Sequence, residues 1–208
     1  MLNLPRRVTV VEVGPRDGLQ SLRQWVPTSR KVAMIDRLSA AGFPVIEATS
    51  FAHPRAVPNL RDADAVMATI RRRPGTIYRA LAPNARGAER AVDAGVDEVL
   101  GLLTVSETYS LKNQNMSVTQ AIEQARLAFE TVSRRGLRFV MGVGMAFACP
   151  YEGQVPESRL LDVVGAIYGY GIRSLYLADS AGMANPRQVN AAFRAIRDRW
   201  ADLEILSG

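Results

Sequence analysis

Residues 11–20 read V-E-V-G-P-R-D-G-L-Q and set Arg16 beside Asp17 where a β-type run stops at Gly14-Pro15. Glu47 sits inside another apolar run, V-I-E-A-T-S (45–50), ahead of Thr49 and Ser50, and Asp179-Ser180 closes a third run. A carboxylate within an apolar strand is costly unless it is paired. A guanidinium among several carboxylates suits a reaction that develops negative charge on a substrate oxygen, with a hard divalent cation held by oxygen ligands. An enolate fits that description: Arg16 would stabilise it, Asp17 would help to hold the metal, and a second acid would move the proton. Plainer readings exist for each residue. Asp17 could cap a turn, Glu47 could be a buried acid satisfied by Arg16, and Asp179 could cap the loop before the last helix.

Stepping from these residues to the elements that carry them, one junction recurs. S-A-A-G-F-P-V-I-E-A-T-S (39–50), D-A-G-V-D-E-V-L-G-L-L (93–103), R-R-G-L-R-F-V-M-G-V (134–143) and G-Y-G-I-R-S-L-Y-L-A-D-S (169–180) each run from a helix-like end through a Gly into an apolar run. The glycines at 42, 95, 136 and 171 suit the left-handed position just past a helix, and the runs after them suit buried parallel strands. The pattern predicts strands near 8–13, 45–50, 77–82, 98–104, 138–147, 174–179 and 203–207. It predicts helices near 29–41, 60–72, 86–94, 118–135, 157–170 and 186–199, with Thr28, Ser117 (boxed with Gln120) and Asn185-Pro186 as starts. The helix stripes are Val32, Ile35 and Leu38; Ile122, Ala125, Phe129 and Val132; and Val189, Phe193, Ile196 and Trp200. Alternation of this kind means an α/β fold with a parallel sheet. M-G-V-G-M (141–145) is too short for a dinucleotide fingerprint, so the expectation is a (β/α)8 TIM barrel, incomplete at about seven strands and six helices.

In such a barrel the loops after the strands carry the chemistry. Strand 1 delivers Arg16, Asp17 and Gln20, and strand 2 delivers Glu47 and Ser50. Strand 4 leads to Ser106, Glu107 and the polar loop S-L-K-N-Q-N-M-S (110–117) with Lys112. Strand 5 leads to Cys149 in C-P-Y-E-G, either a small buried residue or a pocket-lining one, and strand 6 ends in Asp179. His53, the one histidine, reads as a surface residue.

Composition bounds the rest. The chain has 208 residues, 48% of them hydrophobic, and a net charge of +6. Of 26 basic residues only Lys31 and Lys112 are lysines; the arginine clusters fall near helix ends, where cations are favoured, and no nucleic-acid motif accompanies them. No run reaches membrane-spanning length, the N-terminus lacks a signal core, and one cysteine fits a reducing compartment. Neither nucleic acid nor membrane is expected as a partner, and the expected location is cytoplasmic.

With these residues in view, the sequence resembles the 3-hydroxy-3-methylglutaryl-CoA lyases, of the metal-dependent lyase and Claisen-condensing barrel superfamily. V-E-V-G-P-R-D-G-L-Q, V-I-E-A-T-S-F (45–51), S-E-T-Y-S-L-K-N-Q-N-M-S (106–117), C-P-Y-E-G (149–153) and L-A-D-S-A-G-M-A-N-P (177–186) carry the likeness, in that order. The resemblance implies one pyruvate-carboxyltransferase/HMG-CoA lyase-like barrel domain over residues 1–208, lacking the last part of the barrel. It implies that Arg16 stabilises the enolate, that Asp17 is a metal ligand, and that Glu47 and Asp179 are acids assisting proton transfer. Arg16, Gln20, Ser50, Lys112 and Cys149 would then bind the substrate. The implied reaction is retro-Claisen cleavage of an acyl-CoA, 3-hydroxy-3-methylglutaryl-CoA, to acetyl-CoA and acetoacetate, with Mg²⁺ or Mn²⁺ as cofactor. Members often dimerise, so a homodimer is admitted, though no residue stripe marks an interface.

The family's remaining metal ligands, a His-x-His pair at the end of strand 7 and an Asn from strand 8, are not found before Gly208, nor is its late catalytic Cys. A fragment of a longer enzyme, inactive alone, is therefore expected. The alternatives are a truncated non-catalytic homologue, or a sister Claisen synthase or aldolase acting on 2-oxo acids, which V-E-V-G-P-R-D-G-L-Q and C-P-Y-E-G disfavour.

Overall fold

The structure is a computed structural model that describes residues 6–207. It divides into two compact units, one of residues up to 81 with 90–98 and one of residues 82–89 with 99 onward.

The first unit holds three parallel strands in chain order, β1 (Val11–Glu12), β2 (Val45–Ser50) and β3 (Ile77–Leu81). Helices α1 (Thr28–Ala40) and α2 (Ala63–Thr69) connect them. β1 starts at Val11 rather than near residue 8, and it ends at Glu12 because the chain winds at once into a wide π-type turn, Gly14–Gly18. Likewise α2 is shorter than expected: Pro58–Leu60 forms a separate tight turn, and Ile70 is already extended. Thr28 does not cap α1 but lies inside its first turn, after Pro27, and its hydroxyl donates to Asp62 at 2.7 Å. That helix buries Ile35 together with Lys31 and Ser39, while Val32 and Leu38 are half-buried.

The register of β2 on β3 decides which side chains share a face. Val45 lies opposite Ile77 and Glu47 opposite Arg79, then a bulge shifts the register so that Thr49 faces Ala80 and Ser50 faces Leu81. Tyr78 points toward α1, where its hydroxyl donates to Ser39 at 2.9 Å. Side chains alternate along a strand, so Arg79 and Glu47 occupy the opposite face. The bulge then returns Ser50 to that same face, where strict alternation would have turned it away.

The second unit has four strands in the order β4 (Glu98–Thr104, its first residue counted with the first unit), β5 (Arg138–Gly144), β8 (Ser174–Leu177) and β9 (Glu204–Ser207). β5–β8 and β8–β9 are parallel, with Met141 opposite Leu175 and Ser174 opposite Glu204. A short antiparallel hairpin, β6 (Ala148–Cys149) with β7 (Gly153–Gln154), follows β5. β5 ends before the expected residue 147 because Met145 turns left-handed, with φ 51°, and its N–H reaches Ser180 Oγ at 3.2 Å.

Helix α3 (Ala85–Asp93) is divided between the units; α5 (Val118–Arg134), α6 (Glu157–Gly169) and α7 (Pro186–Arg199) belong to the second. Ser117–Gln120 and Asn185–Gln188 both close full capping boxes. The buried stripe of α5 is Ala121, Ala125, Ala128 and Val132, rotated from the expected one so that small residues face inward and Ile122 and Phe129 stay half-buried. One further helix, α4 (Glu107–Gln114), occupies the stretch expected to be a polar loop. Ser106 starts it by accepting the Tyr109 N–H, and Asn115, at φ 53°, stops it. The junction glycines 42, 95, 136 and 171 all take positive φ, between 68° and 93°, as helix-terminating positions require. Among the described residues no helix is long and apolar enough to cross a membrane.

Candidate active site

In the first unit four of the expected residues meet. The wide turn after β1 begins at Gly14, whose N–H donates to Glu12 Oε1 at 2.6 Å; a Cβ there would lie 2.7 Å from that same oxygen. A side chain at position 14 would have to displace that carboxylate from the backbone. Val13 O then accepts the N–H groups of Arg16 and Asp17 at 3.1 and 2.7 Å, which closes the turn and projects both side chains. Such widened turns recur at functional sites.

Arg16 Nε donates to Glu47 Oε1, and Arg16 Nη1 donates to Asp17 Oδ1 at 2.7 Å. Gln20 Nε2 donates to the same Asp17 oxygen at 3.0 Å. The Glu47 side chain is 2% exposed, Arg16 15% and Asp17 57%. Burial thus grades the cluster from a dry carboxylate, through a fixed cation, to an open carboxylate. Ser50, on the face of Glu47, is buried and its hydroxyl accepts the Ala52 N–H at 3.1 Å. His53 is exposed, with Nδ1 accepting the Arg55 N–H at 3.2 Å.

The remaining expected residues lie in the second unit. Asp179 follows β8, and its two carboxylate oxygens accept the N–H groups of Met183 and Ala184 at 3.1 and 2.9 Å. It therefore does organise the loop before α7, as its plainer reading held. Cys149 is fully buried on β6; its sulfur accepts from the Ser106 hydroxyl at 3.0 Å and the Tyr151 N–H at 3.4 Å. Lys112, exposed on α4, places Nζ 5.1 Å from the centroid of the Tyr151 ring.

C-P-Y-E-G has a second function that its letters conceal. Glu152 accepts the Thr108 N–H at 2.6 Å in the first turn of α4 and receives Arg159 at 2.6 Å, which ties the hairpin to the helix carrying Lys112. Burial pushes the Glu152 carboxyl up; hydrogen bonds led by Thr108, with Arg159, outweigh that and hold it below its ordinary 4.5. A lowered carboxyl stabilises the fold above its unfolded value, and the contribution is lost as pH falls through the folded one. The melting temperature of the parent should accordingly fall more steeply than that of Glu152→Gln as pH drops from about 5 to about 3. Parallel melting curves against pH would remove this role from Glu152.

Sequence reasoning overlooked several buried charges. Lys31 donates to Asn59 O and to Asp62 at 2.6 Å, and Arg79 Nε donates to Glu98 Oε1 with both side chains 2% exposed. The rule that singled out Glu47, a charge within an apolar strand, would have found Arg79 in I-Y-R-A-L and Glu98 in E-V-L-G-L-L.

Asp17 is the expected metal ligand. A hard, exposed carboxylate oxygen suits Mg²⁺ or Mn²⁺ in kind. Among the described residues, however, no group of three or more His, Cys, Asp or Glu is assembled to hold a metal ion. The donors thus fit such an ion in type and supply one ligand.

Residues 7–207 match the sequence profile of the HMGL-like family. The mitochondrial hydroxymethylglutaryl-CoA lyase of Mus musculus is 40% identical over 186 residues, 89% of this chain and 57% of that protein. The crystal structure of the Bacillus subtilis HMG-CoA lyase superimposes with a TM-score of 0.93 at 37% identity, over 98% of this chain and 68% of that one. An HMG-CoA lyase from Acinetobacter baumannii, solved in complex with coenzyme A and 3-methylmalate, gives a TM-score of 0.88 at 38% identity, over 94% of this chain and 64% of that one. The fold is accordingly α/β of the TIM-barrel type. The chain spans 57 to 68% of the length of these three proteins.

Proposed function

We propose, from the premise that this chain belongs to the HMGL-like family, that the protein carrying it is a carbon–carbon lyase cleaving 3-hydroxy-3-methylglutaryl-CoA to acetyl-CoA and acetoacetate. The observation that carries this reading is the fixed cation of the first unit: Arg16, clamped through Nε by the buried Glu47 and flanked by Asp17. Cleavage begins when a base takes the proton from the tertiary hydroxyl. The C–C bond then breaks, acetoacetate leaves, and the enolate of acetyl-CoA is protonated. A guanidinium already held in place needs no reorganisation as negative charge collects on the thioester oxygen, and that preorganisation is where such catalysis gains most.

The two acids divide the remaining work. Glu47 is committed to Arg16, so its part is to keep that cation in position. Asp179 is half-buried, and its two carboxylate oxygens accept backbone N–H groups that fix its orientation; it is the better acceptor for the hydroxyl proton. Gln20 steadies Asp17, and Ser50, Lys112 and Cys149 are the residues assigned to substrate binding, Lys112 to its anionic portion. The HMGL-like family is generally divalent-metal dependent. When bound, Mg²⁺ or Mn²⁺ would polarise the substrate oxygens, with Asp17 as the ligand from this stretch.

The test is an acetoacetate-release assay on 3-hydroxy-3-methylglutaryl-CoA, run beside condensation of acetyl-CoA with 2-oxo acids. Metal-stimulated cleavage is expected. Condensation without cleavage would transfer the protein to a sister activity.

A further inference from the structure

We infer that Glu98 is a positioning residue for Arg16, acting through Arg79 and Glu47; the inference rests on the enolate role proposed above for Arg16. Four charges alternate in sign across the first unit: Arg16, Glu47 on β2, Arg79 on β3 and Glu98 at the start of β4. They are divided into two pairs, Arg16 with Glu47 and Arg79 with Glu98. Yet Arg79 stands directly opposite Glu47 in the β2–β3 register. Adjacent strands are about 4.8 Å apart and such partners share a face, so the Arg79 guanidinium is within reach of the very carboxylate that holds Arg16.

Burial says which cation would win a contest for that carboxylate. Arg16 is 15% exposed and has water as an alternative partner; Arg79, at 2%, has none. A buried guanidinium that loses its counter-charge turns to the carboxylate left on its face. Glu98 prevents the contest by occupying Arg79, and so leaves Glu47 to Arg16 alone. The other charges around β2 are already engaged. Glu12 holds the Gly14 N–H, and Lys31 and Asp62 satisfy each other on α1 and the segment before α2.

The prediction is an asymmetry that a merely structural ion pair would not produce. Glu98→Gln keeps the shape and removes the charge. It should lower kcat about tenfold, part of the about 10²–10³-fold available from one oxyanion donor, with KM little changed because Arg16 acts in the transition state. Arg79→Met removes the competitor and should lower the melting temperature while kcat stays near the parent value. The double variant Arg79→Met/Glu98→Gln should recover kcat. Should Glu98→Gln not fold, Glu98→Asp, which withdraws the carboxylate by one methylene, should give the same ordering in smaller size.

A readout independent of turnover separates this inference from the lyase reading. The Arg16 Nε–H resonance should be protected from exchange in the parent, in Arg79→Met and in the double variant, and unprotected in Glu98→Gln. Equal loss of kcat and of protection in both single variants, or in neither, overturns the positioning role. A parent that cleaves no substrate yet shows this resonance pattern overturns the lyase reading and leaves the positioning intact.

Discussion

Arg16→Gln is expected to lower kcat for cleavage by about 10²–10³-fold, the cost of removing one preorganised donor from an oxyanion, with a much smaller change in KM. An interaction made only as charge develops appears in kcat and in kcat/KM equally. The substitution has a second consequence. Glu47 is 2% exposed and receives Arg16 Nε, so glutamine leaves a carboxylate buried without its cation, a change that typically costs about 3–5 kcal/mol. Rates must therefore be compared well below the melting temperature of the variant, with circular dichroism confirming the fold. Arg16→Lys separates the two effects. One ammonium can satisfy Glu47 or reach outward, whereas the planar guanidinium does both, through Nε and Nη1. Lysine should recover most of the stability and little of the rate. A folded Arg16→Gln protein with kcat within about threefold of the parent would remove Arg16 from the chemistry.

Where sequence and structure agree, a single physical signal dominates locally. β2 lies at 45–50 as expected because an apolar run follows a helix-ending glycine, and α7 lies at 186–199 because Asn185-Pro186 both caps and pre-sets its first turn. α4 was not legible, since E-T-Y-S-L-K-N-Q carries no apolar stripe; its ends are made by Ser106 and Asn115, and its anchor, Glu152, lies 44 residues from Thr108. Arg16, Asp17 and Glu47 could be found from their types at strand ends. That Glu47 clamps Arg16 was one of two open readings, and only the register reveals that Arg79 stands next to that clamp. Distance in sequence, not weakness of interaction, hid these contacts.

Lys31 shows the same limit and is the site of the second large effect. The expected stripe of α1 was Val32, Ile35 and Leu38, yet the Lys31 side chain is 3% exposed. Its ammonium donates to Asn59 O and to Asp62 Oδ1 and sits 3.8 Å from the centroid of the Trp25 ring, while the Arg61 guanidinium lies 3.9 Å from that centroid. Asn59 in turn donates its amide to Leu22 O, so one cation fastens to α1 both the segment following the Arg16–Asp17 turn and the segment following β2. Lys31→Met keeps the length of the stem but takes the ammonium from Asp62, 11% exposed, which keeps the Thr28 hydroxyl. Removing one partner of a buried pair costs about 3–5 kcal/mol, and at about 2–4 °C per kcal/mol for a chain of this size the melting temperature should drop by roughly 6–20 °C. Asp62→Asn retains a hydrogen-bond acceptor without stranding a carboxylate, so Lys31→Met/Asp62→Asn should recover part of that loss. Because the freed segments adjoin Arg16 and Glu47, cleavage by Lys31→Met should also decline more steeply on warming than that of the parent. A melting temperature within about 2 °C of the parent would mean that the ammonium contributes nothing net, and that apolar packing alone holds these segments to α1.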